Sequence, residues 1–456
     1  MLTVLLRSFI LLTVFCGLSL CTPADDPSHV PPPDDRYKAD ILLVIAHPDD
    51  ETAVTGYLAR AIFDEHKRVA VIYGTRGNGG GNAVGIEQAA SLAAVREIEG
   101  RRALASFGIS NVWFLNGPDT PGQDVLRSLE TWNHGAALDQ TVRLIRLTRP
   151  EVILTWLPAY SAGENHGDHQ AAGVIATEAF GLAGDLTVFP EQVTAPRNRD
   201  SISNLTEGLH AWQPQKLYYF TDATHTEFLK GKGPTYATTD QSTSKGLPYY
   251  KLVAQQMSFH LTQSDTGQFA SNALKKGDLN AFKEPVRFVF GKSLVGGSAT
   301  GDIFSNVKQG PIDFVRDPGY QPHAEQGVTA EFGGPWAFYK RFWAAHGLDG
   351  LQNLLAPEVG IGVSSTLSVP VLIHNGTDRT QVASVHVAVP QGWAAVSRDT
   401  IWSIDPHTDV AVEVYVESPA KINGDWQKME VTVNNESSQP IHLPLRVNLT
   451  QSALPQ

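Results

Sequence analysis

The feature that most constrains this chain is an alternation in its first third. Short, continuous apolar runs recur, and stretches with helical spacing lie between them. Asp40–Ala46, Arg68–Tyr73, Val112–Leu115 and Glu151–Trp156 read as strands buried on both faces. Helical spacing fills the gaps from about 51 to 67, 85 to 107 and 138 to 148. Such an alternation winds into right-handed crossover units. The expected fold is therefore α/β, a Rossmann-like parallel sheet with helices on both faces. Ligands in such sheets collect beyond the carboxyl ends of the strands.

Past Val359 the grammar changes. Ser368–Ile373, Val385–Val389, Val410–Val416, Met429–Val433 and Leu443–Val447 alternate with period two and are separated by turn residues. This pattern predicts an immunoglobulin-like β-sandwich. From about 187 to 326 the signal is mixed, and its polar stretches read as loops over the ligand edge of the sheet. A helical patch at 336–346 closes the first domain. The expected organisation is a leader at 1–21, a Pro-rich linker at 22–38, an α/β domain at 39–346 and a sandwich at 359–450.

Lys and Arg number 35 against 47 Asp and Glu, a net charge of −12, and no basic run occurs. Nucleic acid and anionic membranes, which need clustered cations, are thereby excluded as expected partners. Met1–Leu20 carries one charge, Arg7, ahead of an apolar stretch too short for a comfortable membrane span, the pattern of a cleaved signal peptide. The two cysteines, Cys16 and Cys21, both lie in the leader at 1–21. The expected mature protein is secreted or periplasmic, with no integral span, disulfide or thiol chemistry. Composition is silent on oligomeric state.

Two motifs carry the chemistry. The first strand ends in Ala46-His47-Pro48-Asp49-Asp50-Glu51, and the fourth is followed by Asn165-His166-Gly167-Asp168-His169. His166 and His169 are the only two of the 15 histidines spaced three apart. Two imidazoles and a carboxylate from two strand ends make a three-ligand site with an open position, the pattern of a catalytic zinc. Taken singly, each motif has a plainer reading: the acidic triplet as a helix cap, the histidine pair as a solvated loop.

Together the hexapeptide and the distal His-x-x-His resemble the PIG-L/LmbE family of zinc-dependent de-N-acetylases. Arg96 and Glu99 with Phe107-Gly108, Asp119 after the third strand, Trp212–Tyr218 and His260-Leu261-Thr262-Gln263 are similar to further family features. The resemblance implies zinc on His47, Asp50 and His169, with other divalent ions also fitting the set. It implies Asp49 as general base, and His166 as the group that stabilises the oxyanion or protonates the leaving amine. Arg96 and Asp119 would bind the substrate, although Arg96 and Glu99 are also spaced for a helix ion pair. His260 is expected behind the ligands rather than among them. Some relatives have a tyrosine where Glu164 stands here, which leaves the acid for the leaving group open, with Tyr160 nearby.

The implied activity is removal of N-acetyl groups from N-acetylglucosamine-type amino-sugar conjugates. A zinc amidase acting on a non-sugar N-acyl substrate and a non-catalytic glycan-binding protein with a structural metal are the alternatives. Thr75–Gly81 lacks the endings of a nucleotide loop and reads as a substrate loop. The terminal module, with Val389-Pro390-Gln391-Gly392-Trp393, resembles NPCBM-associated sandwiches appended to secreted glycosidases. Trp393, Trp402 and Trp426 are its candidates for stacking on sugars or for core packing. Intact-mass analysis of material exported by the natural host is expected to show a first residue between about Thr22 and Asp25. Retention of Met1 in that material would overturn the leader assignment.

Overall fold

A computed structural model describes residues 33–158, 166–193, 209–221, 229–322, 325–354, 357–396, 400–421, 426–435 and 439–450. The leader, most of the linker, Tyr160 and Glu164 lie outside the described residues.

The α/β domain opens with β1 (Ile41–Ile45), α1 (Thr55–Phe63), β2 (Val69–Thr75), α2 (Ala89–Ala105) and β3 (Val112–Gly117). It continues through α3 (Val125–Thr131), α4 (His134–Thr148), β4 (Val152–Trp156), α5 (Gly167–Leu182) and β5 (Lys216–Phe220). A short ladder of β6 (Thr235–Tyr236) with β7 (Val286–Arg287) brackets α6 (Tyr249–Met257) and α7 (Phe269–Lys276) and is followed by β8 (Val289–Ser293). The main sheet has the order β3-β2-β1-β4-β5-β8. Its first five strands are parallel, and β8 adds antiparallel at the edge. Every residue of β1, β2, β4 and β5 is buried, as their unbroken apolar runs require. The helices fall into two packed groups, α1, α2, α6 and α7 against α3, α4, α5 and α8 (Gly334–Ala345), which cover the two faces.

Strand order reverses at β1, whose neighbours are β2 on one side and β4 on the other. Crossover connections leave β1 and β4 in opposite directions, so a crevice opens beyond their carboxyl ends. Both chemical motifs follow these two strands. The stretch from 187 to 326, expected as loops, contributes β5, β8, α6 and α7. β5 opens on Lys216, and β8 carries Gly291 and Lys292, so each leaves only a short apolar run for a reading by hydrophobicity.

The sandwich pairs a five-stranded sheet, β10-β17-β16-β12-β14, with a four-stranded one, β13-β15-β11-β9. Its strands are β9 (Val328–Phe332), β10 (Glu358–Gly362), β11 (Thr366–Asn375), β12 (Gln381–Ala388), β13 (Ala394–Ala395), β14 (Thr400–Ile404), β15 (Thr408–Glu417), β16 (Gln427–Asn435) and β17 (Ile441–Thr450). Inward residues alternate along them and bury a Val-rich core with Trp393, whose indole donates to Gln427 Oε1 at 2.6 Å. Trp426 lies under the guanidinium of Arg446. No helix among the described residues is long and apolar enough to cross a membrane.

The two domains interlock. β9 runs antiparallel to β11, yet it precedes α8, whose Tyr339, Phe342 and Trp343 are buried in the α/β core. Trp336, at the start of α8, packs on both cores. On the other side, Gly360 of β10 donates its N–H to Gln123 Oε1, in the loop between β3 and α3. A chain cut after Leu354 would strip β9 of its partner β11 and expose Phe332, a side chain whose burial is worth about 1.5–3 kcal/mol. Such a truncation is expected to lower the midpoint of thermal unfolding well below that of the full chain. An unchanged midpoint would show that the pairing of β9 with β11 contributes nothing to the α/β domain's stability.

Candidate active site

The turn after β1 is built around one carboxylate. Asp50 Oδ2 accepts the N–H of Ala46 at 2.8 Å, that of His47 at 3.0 Å and the indole N–H of Trp156 at 2.6 Å. With Oδ2 committed, Oδ1 faces the two imidazoles: His47 Nδ1 at 3.5 Å and His169 Nε2 at 3.3 Å. Trp156, the last residue of β4, also stacks flat on His169, with ring centroids 4.1 Å apart and planes within 2°. One aromatic side chain thus holds both the carboxylate of one motif and the imidazole of the other. Burial opposes ionisation of Asp50, but the charges of His169 and His47 hold its carboxyl well below the usual range.

His47 turns its other nitrogen, Nε2, toward Asp168 Oδ2 at 3.3 Å. Asp168 is fully buried and is itself held by Thr120, whose backbone N–H donates to Oδ2 at 2.9 Å and whose hydroxyl donates to Oδ1. Carboxylate behind imidazole is the arrangement that orients a ligating histidine and raises its basicity. Burial disfavours the imidazolium of His47, but Asp50 and then Asp168 outweigh it and push the group up to about 10. Nothing in the sequence reading assigned Asp168 a part, although it stands inside the His-x-x-His motif.

His166 caps α5. Its Nδ1 accepts the N–H of Asp168 at 3.1 Å, and its ring lies edge-on to His47 at 4.8 Å. Burial, and then the neighbouring His47 and His169, push it down to about 3. The imidazole is therefore neutral, and with Nδ1 accepting, its proton belongs on Nε2.

Asp49 does not cap the short helical turn that follows, so the capping alternative fails for this residue. Its Oδ2 instead accepts the hydroxyl of Thr266 at 2.8 Å. Burial, reinforced by the charge of Asp50, pushes it up to about 6. Beneath it, the fully buried Glu51 gathers Tyr73 Oη at 2.8 Å, Gln256 Nε2 at 2.7 Å and His260 Nε2 at 2.6 Å. His260 thus bonds Glu51 beneath Asp49 and does not contact Asp50.

Arg96 and Asp119 reach the crevice through the loop after β2. Arg96 donates to Gly77 O at 2.9 Å and Gly81 O at 2.8 Å, while Glu99 accepts from Thr262 rather than closing on Arg96. Gly77 takes φ +71°, and a Cβ there would lie 2.8 Å from Arg96 Cδ, so glycine is required. Asp119 Oδ2 accepts the N–H of Gly79 at 2.6 Å, and its buried Oδ1 has no hydrogen-bond partner among the described residues.

Two sets of donor atoms converge. His47, His166 and His169 bring ligand atoms within 4.8 Å of one another, as do His47, Asp119 and Asp168. Besides these, His47 Nδ1 and His169 Nε2 each approach Asp50 Oδ1, at 3.5 Å and 3.3 Å. Donors around a tetrahedral ion with bonds of about 2.0–2.1 Å stand roughly 3.3 Å apart, which matches the spacings to Asp50. In the Asp119 set, Asp168 is spent on Thr120 and on the far nitrogen of His47.

Residues 42–180 match the PIG-L family, described as GlcNAc-PI de-N-acetylase. The chain is 30% identical over 191 residues to the 1D-myo-inositol 2-acetamido-2-deoxy-alpha-D-glucopyranoside deacetylase 1 of Catenulispora acidiphila, covering 38% of this chain and 58% of that protein. It is 27% identical over 315 residues to the corresponding deacetylase of Streptomyces scabiei, covering 62% of this chain and 95% of that one. Among solved structures it is similar to the N,N'-diacetylchitobiose deacetylase from Pyrococcus horikoshii. That likeness has 17% identity and a TM-score of 0.39, over 56% of this chain and 84% of the other. The chain spans little more than half the length of several of these curated relatives. The matched span runs from β1 into α5 and holds His47, Asp49, Asp50, His166, Asp168 and His169. Across the span that holds the site, the α/β domain is thus similar to the PIG-L family.

Proposed function

We propose that the protein is an exported, zinc-dependent hydrolase that removes N-acetyl groups from N-acetylglucosamine-type amino-sugar conjugates. One observation carries the reading. At the strand-order reversal His47 Nδ1 and His169 Nε2 both approach Asp50 Oδ1, while the adjacent Asp49 turns its carboxylate to Thr266 instead. A purely structural metal site would have no use for a spare carboxylate beside it. The names of the relatives support an amino-sugar amide as substrate.

In this reading His47, Asp50 and His169 hold the ion. When bound, it supplies Lewis acidity at the acetyl carbonyl and makes nearby water more acidic. Asp49, pushed up to about 6, is tuned to take a proton from the attacking water near neutral pH. His166, neutral with its proton on Nε2, donates to the carbonyl oxygen as negative charge develops there. The proton taken by Asp49 then passes to the amine as the C–N bond breaks, giving acetate and a free amino sugar. Arg96 and Asp119 border the sugar site by fixing the loop of Gly77–Gly81, and Asp119 Oδ1 is available to accept a substrate hydroxyl.

Acetate release from a panel of N-acetylglucosamine conjugates, with bound metal measured alongside, tests the reading. His169→Ala is expected to lose metal and activity together. Asp49→Asn is expected to keep the metal and lose about 10²–10⁴-fold in rate. His166→Ala is expected to keep the metal with a loss of about 10²–10³-fold, the cost of one oxyanion donor. An Asp49→Asn protein as depleted of metal as His169→Ala would make Asp49 a ligand and undo the assignment of the base.

A further inference from the structure

We propose that Thr266 is a positioning residue that fixes which oxygen of the Asp49 carboxylate receives the proton. The inference rests on the reading of Asp49 as the general base. Its starting point is the backbone: Asp49 has φ 125° and ψ −16°, a conformation L-residues rarely adopt and one that persists only where the surroundings hold it.

Those surroundings come from one distant stretch, residues 256–266. Gln263 Nε2 donates to Pro48 O at 2.6 Å, ahead of the strained residue. The N–H of Asp49 donates to Glu51 Oε2 at 3.1 Å, and Glu51 is fixed in turn by Gln256 and His260. The remaining contact is the hydroxyl of Thr266, which donates to Asp49 Oδ2 at 2.8 Å. The first two hold the backbone of Asp49; Thr266 holds the carboxylate itself.

That contact matters because the last torsion of an aspartate is soft and broad. Without a donor on one oxygen, the carboxylate plane swings and either oxygen faces the water. A hydroxyl on Oδ2 fixes the plane, occupies one acceptor and leaves Oδ1 for the proton. Thr266 is 9% exposed and lies in a single π-helical turn, Ser264–Gln268, a distortion frequent at functional sites. The turn is pressed against the chain before it. A Cβ on Gly267 would lie 2.0 Å from the carbonyl oxygen of His260, so only glycine lets the turn approach closely enough for Thr266 to reach Asp49.

The test is a pair of substitutions in the full-length, metal-loaded protein. Thr266→Val keeps the shape and removes the hydroxyl, whereas Thr266→Ser keeps the hydroxyl and removes the methyl. Thr266→Val is expected to lower kcat by about 10–10²-fold, the scale of a misplaced catalytic group, with KM and bound zinc unchanged. Thr266→Ser is expected to restore most of the rate. Crystal structures of both variants supply a readout independent of activity: the Asp49 carboxylate should be rotated in Thr266→Val and in place in Thr266→Ser. Equal kcat for Thr266→Val and the parent overturns the inference, as does an equal loss in both variants, which would mark a packing role. If the parent releases acetate from no N-acetylated sugar, the reaction assigned above fails instead. The crystal structures then decide the positioning alone, and an unmoved carboxylate in Thr266→Val overturns it.

Discussion

The carboxylate of Asp50 organises the centre of this molecule. A buried carboxylate is costly unless each oxygen finds donors, and the fold meets that demand from two adjacent strands at once. Oδ2 collects two N–H groups from the end of β1 and one indole from the end of β4. Oδ1 is consequently aimed into the crevice, toward an imidazole from each side. The parallel pairing of β1 with β4 brings these donors together, so the strand order and the geometry of the site are one constraint. The carboxylate comes from the turn that Oδ2 itself shapes.

A second ring of polar groups surrounds the first. Thr120 holds Asp168 against His47, and Tyr73, Gln256 and His260 hold Glu51 beneath Asp49. Networks of this kind stiffen a buried site when nearly all members are satisfied. The two carboxylates serve opposite ends. Asp168 raises the basicity of an imidazole, whereas Glu51 fixes a backbone conformation that Asp49 would not choose alone. Identical chemistry is thus put to an electronic use on one side of the crevice and a conformational use on the other.

Much of this was legible in the sequence, and the reasons differ by element. Strands β1, β2 and β4 declared themselves because burial on both faces leaves an unbroken apolar run. The motifs after β1 and β4 stood out because two imidazoles and adjacent carboxylates are rare at strand ends. β5 and β8 were not legible: each is short and carries a lysine, and a five-residue run gives periodicity little to work with. Strands β9, β10 and β14, also five residues each, lack an unbroken apolar run and escaped as well. Arg96 and Asp119 were recognised by resemblance, but their hold on the Gly77–Gly81 loop depends on contacts no spacing encodes. Thr266 and His260 lie more than two hundred positions from the residues they serve. Only the folded chain brings them there.

The placement of β9 bears on how the molecule is made. The ribosome releases β9 and then α8 before any part of β11 exists. α8 can settle on the α/β core at once, because its aromatic face finds a surface already built. β9 cannot, and its ladder groups stay unpaired until the chain has grown through Asn375. At roughly 5–20 residues per second this leaves an open strand edge waiting for seconds during synthesis. The nascent α/β domain therefore carries a hook for the sandwich before the sandwich has emerged. The two domains are joined by the order of their birth as well as by the contacts they finally share.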